Sequence, residues 1–189
     1  MCKKIVIRGE FPNLIPDRGL DYTSAFSRGE AALESADIYM FSSTPILRLA
    51  SDILAARRLS PVSRVVVRPS PYEENLISAL FPFVEFLQPG NVFLSEICSG
   101  KRTYRHECMR SSLSERENKI LSPLSYGMSD KEAALVLGIS ERTVVRTKQR
   151  VIAKAGLISS GQLSIFSALM SWIRDEEERS GEKERRKIQ

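Results

Sequence analysis

Between positions 142 and 154 the chain has five basic side chains and no acidic one: Arg142, Arg146, Lys148, Arg150 and Lys154. Arg142, Val145, Arg146, Gln149 and Ala153 recur at helical spacing on one face, while Val144, Val151 and Ala155 recur on another. An arginine can donate two parallel hydrogen bonds to guanine and a glutamine can exchange a pair with adenine. Charge of one sign also attracts a phosphate backbone. A solvated helix face would carry the same charge, so the face alone leaves that alternative open.

Other chemistry is thinly represented. The three cysteines, Cys2, Cys98 and Cys108, form no CxxC pair, and His106 is the only histidine, so neither a metal site nor a cofactor is expected. The closeness of His106 and Cys108 would suit a redox or metal switch, but free thiols in a reducing cytosol explain it as well. Apolar runs such as residues 5–7 and 65–67 fall far short of the roughly 20 residues of a spanning helix. The N-terminus lacks an apolar core of secretory length, which predicts a cytoplasmic protein without a membrane partner. A net charge of +5 mildly favours a polyanionic partner.

The basic helix needs elements to position it, and the flanking sequence supplies their signals. Ser114 and Glu117 have the spacing of a capping box, which starts a helix running to about Ser125 and bent or ended near Pro123. Gly127 permits a turn, Ser129 can cap a second helix through Leu137, and Gly138 stops it. Ser140 then caps a third helix from Glu141 to about Ala155, with Glu141 near its positive end. Two short helices joined by a glycine turn make a helix-turn-helix.

The segments Leu113-Ser-Glu-Arg-Glu117, Ile120-Leu121, Gly127-Met-Ser129, Lys131-Glu132-Ala133-Ala134, Leu137-Gly-Ile-Ser140, Thr143-Val144 and Lys154-Ala-Gly156 closely resemble the DNA-binding domain of LuxR/NarL-type regulators. The resemblance covers about residues 111–170, with departures at Pro123 and at Thr147, where the family commonly has histidine. It implies that Val145, Arg146 and Gln149 face base edges, with Arg150 nearby. Ser140, Thr143, Lys148 and Lys154 would hold phosphates, and Ser129 and Lys131 would touch the backbone from the preceding helix. Arg142 joins this set from the charge pattern. A helix over 159–172, with apolar Leu163, Ile165, Phe166, Leu169 and Met170, looks like the family's dimerisation helix, and core packing accounts for it equally well.

The N-terminal half alternates in type. Residues 3–8, 37–41, 63–68 and 83–87 read as strands, the first three dense enough in apolar residues to be covered on both faces. Residues 30–35, 46–59 and 73–80 have helical spacing, and prolines fall mostly at the joints. This predicts an α/β domain with a parallel sheet. It resembles a phosphorylation receiver, whose chemistry needs an aspartate after the third strand, acidic residues after the first and a lysine after the fifth. Here Ser42, Gly9-Glu10 and Gln88-Pro89 stand at those places. A serine cannot form an acyl phosphate, so aspartyl phosphorylation is not expected, and the short span from Glu10 to Asp37 predicts an abbreviated or lost first helix.

The expected organisation is a degenerate receiver-like α/β domain with an abbreviated parallel sheet over residues 1–100 and a linker over 101–112. An all-α four-helix LuxR-type helix-turn-helix domain follows over 113–173, with a charged, helical tail over 174–189. The reading is a regulator, not an enzyme, with double-stranded DNA as partner and a homodimer or a heterodimer with a related regulator as the assembly. An interaction protein that pairs with or sequesters another regulator through its N-terminal half is the alternative.

Overall fold

The computed structural model describes residues 4–15, 22–24, 35–42, 45–70, 72–105 and 113–187, with backbone alone at 22–24 and 182–187. The chain divides into two compact units, Met1–Glu107 and Cys108–Gln189.

The first unit is built on β1 (Ile5–Arg8), β2 (Leu14–Ile15), β3 (Tyr22–Ser24), β4 (Ile38–Ser42), α1 (Ile46–Leu59), β5 (Arg64–Arg68), α2 (Glu74–Leu80), β6 (Glu85–Leu87), β7 (Val92–Phe93), α3 (Leu94–Cys98) and β8 (Thr103–Tyr104). Its main sheet runs β3-β1-β4-β5-β6-β8, all parallel except β8, which closes the edge antiparallel to β6; β2 and β7 form a separate parallel pair. The first five strands thus take the 2-1-3-4-5 order of a doubly wound fold. Unbroken apolar runs belong to strands covered on both faces. Ile5, Ile7, Ile38, Met40 and Val66 form one core with Val92, Leu94 and Ile97. The intervening Val6, Tyr39, Phe41, Val65 and Val67 are also buried, and α1, packed on β4 and β5, buries Leu49, Ala50, Ile53 and Ala56.

Two spans bear on the sequence reading. The span after Glu10 keeps its strand, β3, in parallel register with β1 (Ile5 opposite Tyr22), and none of its described residues is helical. Residues 30–34 of the helix expected at 30–35 lie outside the described residues. The second lies within the expected linker, where Thr103–Tyr104 form the edge strand β8. Side chains explain why. The Arg64 guanidinium donates to both Glu85 carboxylate oxygens at 3.2 and 2.5 Å and to the Thr103 hydroxyl at 3.0 Å, and Thr103 in turn donates to Glu85 at 2.7 Å. These bonds hold the Glu85 carboxyl below the ordinary carboxylate range although burial pushes it up. The Tyr104 ring lies 5.8 Å from that of Phe86, and its hydroxyl donates to Glu74 at 3.0 Å. Residues 106–112 of the expected linker lie outside the described residues.

The second unit holds α4 (Glu115–Ser125), α5 (Asp130–Leu137), α6 (Glu141–Lys154) and α7 (Ser160–Lys187). The expected caps are all present: Ser114, Ser129 and Ser140 accept from the amides of Glu117, Glu132 and Thr143. Pro123 does not end α4, which continues to Ser125. The helix expected to close near 172 and the charged tail beyond it are one continuous helix, α7. α4 packs against each of the other three helices, and Ile120, Leu121, Val144, Val151, Leu163 and Phe166 are buried.

One polar contact pins the two ends of this bundle. Glu117 is 2% exposed, and one carboxylate oxygen takes the Lys154 ammonium at 2.8 Å, the Ser114 amide at 2.8 Å and the Ser114 hydroxyl at 3.0 Å. Lys154 first, and then the Ser114 bonds, hold this carboxyl at about 2. The start of α4 is thereby tied to the last residue of α6.

Two expectations follow from this architecture. Because the Glu117 carboxyl is depressed in the folded state, its contribution is complete above the ordinary value of 4.5 and disappears as pH falls from there toward 2. Acid unfolding monitored by circular dichroism should therefore begin at higher pH in Lys154→Met. At neutral pH that variant should be less stable by on the order of 1–3 kcal/mol, because a buried carboxylate loses its cation. In the first unit, Gly9 has φ of 95°, and a Cβ there would overlap the Ser42 hydroxyl and lie 2.9 Å from Ser42 Cβ. Gly9→Ala should cost about 1–3 kcal/mol in urea unfolding. Ser42→Ala should recover only part of that loss, since its Cβ remains.

Candidate nucleic-acid interface

α5, the turn at Gly138 and α6 form the helix-turn-helix. The turn depends on a left-handed residue: Gly138 has φ of 63° and ψ of 33°, and its amide returns to Ala134 and Leu135 carbonyls, closing α5. Ile139 donates to the Ala134 carbonyl at 3.1 Å, and the chain re-enters a helix at Ser140.

α6 separates its residues sharply by face. Val144, Thr147 and Val151 are buried, with Ala155 just beyond the helix. Arg142, Arg146, Gln149, Arg150 and Ala153 are exposed, and Val145 is half-buried. The face expected to read bases is therefore the solvent face. Thr147, the departure from the family pattern, sits in the core and takes no part in it. At the N-terminus, the Ser140 hydroxyl caps the Thr143 amide at 3.2 Å and shares a hydrogen bond with the Thr143 hydroxyl at 2.8 Å. These groups stand at the positive end of the α6 dipole, where a phosphate oxygen would be stabilised.

The cations expected to hold phosphate fall into two groups. Arg142, Arg146 and Arg150 make no ion pair among the described residues, and Lys131 stands exposed on the first turn of α5. Lys148 and Lys154 are already committed. The Lys148 ammonium lies 2.7 Å from Asp130, and Lys154 holds Glu117. The pairing of Lys148 joins the middle of α6 to the start of α5, so it fixes one helix of the motif against the other. Sequence reasoning missed Asp130 because it reads as an ordinary acidic residue in a first turn. Nothing local signals a partner 18 residues away. Ser129 is spent on its own capping box: its hydroxyl and amide both donate to Glu132, which is held below its ordinary value by them.

Among the described residues of the first unit, a receiver's acidic centre has no counterpart. Ser42 ends β4, is buried, and its hydroxyl accepts from the Glu10 amide at 2.9 Å. Gly9 packs directly on it, so the space between β1 and β4 is closed by backbone. Arg68 ends β5, and Gln88-Pro89 follow β6. Among the described residues there is no group of three or more metal-ligating side chains, and no helix long and apolar enough to cross a membrane. His106 and Cys108 lie outside the described residues.

Comparison with known proteins places this geometry. The family described as "Bacterial regulatory proteins, luxR family" matches residues 111–166. The transcriptional regulatory protein TdiR of Thauera aromatica is 44% identical over 62 residues, which are 33% of this chain and 27% of TdiR. The match thus spans little more than a quarter of that relative. Two solved structures resemble the fold over most of the chain. One is a complex of the two-component response regulator RcsB with DNA, at 16% identity and a TM-score of 0.56, covering 89% of this chain and 99% of that one. The other is RcsB from Salmonella enterica serovar Typhimurium bound to a promoter, at 15% identity and a TM-score of 0.58, covering 90% and 100%. At such identities the likeness to the solved structures is one of fold alone, and the luxR-family match is confined to residues 111–166, the helix-turn-helix and its flanking helices.

Proposed function

We propose that this chain is a sequence-specific DNA-binding transcription regulator, not controlled by aspartyl phosphorylation. The observation that supports it is the solvent face of α6, where Arg142, Arg146, Gln149 and Arg150 stand on a capped helix that ends a glycine turn. In a major groove, Arg146 would pair bidentately with guanine and Gln149 with adenine, with Val145 against a thymine methyl and Arg150 beside them. Arg142, Lys131, Ser140 and Thr143 would meet phosphates around the helix N-termini, while Ser129, committed to Glu132, would hold the start of α5 in place. Lys148 and Lys154 would contribute by leaning toward phosphate from their ion pairs rather than as independent cations. Binding as a dimer would give a two-fold related site. RcsB has been seen on DNA, and the shared fold makes the same partner reasonable here.

Selection of bound fragments from a random pool, by the full-length protein at two salt concentrations, should return such a two-fold motif that survives the higher salt. Arg146→Ala and Gln149→Ala should each weaken binding to that motif by roughly tenfold while changing the preferred base at one position per half-site. Loss of affinity without a change in preference would assign both residues to the backbone instead.

The independence from phosphorylation rests on Ser42, which stands where a receiver has its aspartate and whose side chain is buried against Gly9, its hydroxyl accepting from the Glu10 amide. A magnesium ion needs several oxygen ligands, and Glu10 alone supplies too few. Incubation with acetyl phosphate and magnesium should leave the intact mass unchanged. A phosphate-sized increase would overturn this part of the reading.

A further inference from the structure

The first unit has a concavity of about 310 Å³ at the carboxyl ends of β1, β5 and β6. Open parallel sheets bind their ligands at this end of the strands. The volume is at the small end of ligand pockets, which run to roughly 300–1,000 Å³. The crevice neighbours the closed space above Ser42, since Arg68 bonds the Glu10 carbonyl and the Glu10 amide bonds Ser42. Phe11, Leu14 and Leu87 give it apolar walls.

Its charges are arranged unusually. Arg68 and Glu74 line the same crevice and form no ion pair with each other. Among the described residues, the Arg68 guanidinium has only a 3.3 Å bond to the Glu10 carbonyl, and the Glu74 carboxylate accepts only the Tyr104 hydroxyl at 3.0 Å. Most of the five guanidinium donors and most of the carboxylate lone pairs are therefore available to a guest. One cation and one anion lining a crevice with apolar side chains match a ligand with both charges and an apolar body. A ligand with a single charge would leave the opposite pole facing it unpaired, at a cost in desolvation.

We propose that this crevice binds a free α-amino acid with an apolar side chain, Arg68 taking its carboxylate, Glu74 its ammonium, and Phe11, Leu14 and Leu87 its side chain. Such a site would give the first unit a small-molecule input in place of a phosphoryl group. It is independent of the DNA reading, because binding is measured without DNA.

Calorimetric titration of the full-length protein with free leucine, isoleucine, valine, methionine, phenylalanine and tryptophan tests it. Saturable binding is expected for at least one, with Kd of about 1 mM or tighter. For that amino acid, N-acetylation and carboxyl amidation should each weaken binding to the unaltered protein by roughly tenfold. Glu74→Gln should bind the free and N-acetylated forms alike, and Arg68→Gln the free and amidated forms alike. No saturable binding by any of the six overturns the proposal. So does equal binding of free and blocked forms by the unaltered protein, a result that needs no variant to fold.

Discussion

The second unit depends on a buried carboxylate. Glu117 starts as a local device, closing the capping box at the beginning of α4, and with Ser114 alone it would be half satisfied. A buried anion without a cation is costly, so the chain must bring one to it. The cation is Lys154, 37 residues on, at the last turn of α6. Meeting that requirement fixes where α6 ends relative to α4, and the apolar contacts of Val144 and Val151 fix its rotation. Lys148 on Asp130 sets the remaining degree of freedom, the angle between the two helices of the motif. The solvent face of α6 is thus aimed by ion pairs on its flanks and by packing beneath it, and Arg146 and Gln149 are left unencumbered.

A similar economy shapes the sheet. β4 and β1 are brought close enough at their carboxyl ends that Gly9 must lack a side chain, and the Glu10 amide caps the Ser42 hydroxyl. A phosphoacceptor centre needs the opposite, an open, anionic space with room for metal and phosphoryl oxygens. Closing that space moves the opening of the crevice toward β5 and β6, where Arg68 and Glu74 face apolar walls. The edge beyond is held by the Arg64–Glu85–Thr103 network, which makes β8 part of the sheet and so gives Tyr104 its place beside Glu74. On the reading proposed above, this end of the fold would serve recognition rather than group transfer, while the strand order is that of a doubly wound sheet.

Whatever is encoded by local periodicity could be read from the sequence. α1 runs from Ile46 to Leu59 as its apolar spacing predicts, because a 14-residue stripe against a sheet has few other solutions. The serine caps and the stop at Gly138 were equally legible, since each rests on neighbours within four residues. β3 and β8 were not. Tyr22-Thr-Ser24 and Thr103-Tyr104 are short and polar, and their pairing is decided by β1 and by Arg64, both remote in sequence. The same limit hid half of the site. The basic run 142–154 announces a polyanion, but only the fold shows that its two lysines answer Asp130 and Glu117 while its arginines do not.

That division matters for the proposed function. Lysine is a compact point charge that can satisfy a carboxylate from one direction, whereas the planar guanidinium presents two donors that match a base edge or a phosphate. In α6 the lysines are spent inside the domain and the three arginines stand in solvent. Attraction to any duplex grows with the number of uncommitted cations, and discrimination grows with the fraction of contacts made to base edges. Committing Lys148 and Lys154 to internal anions lowers the first without touching the second. Under the proposed function, a domain built this way would give up affinity for DNA in general and keep its capacity to distinguish sequences, which is the balance a regulator needs among many competing sites.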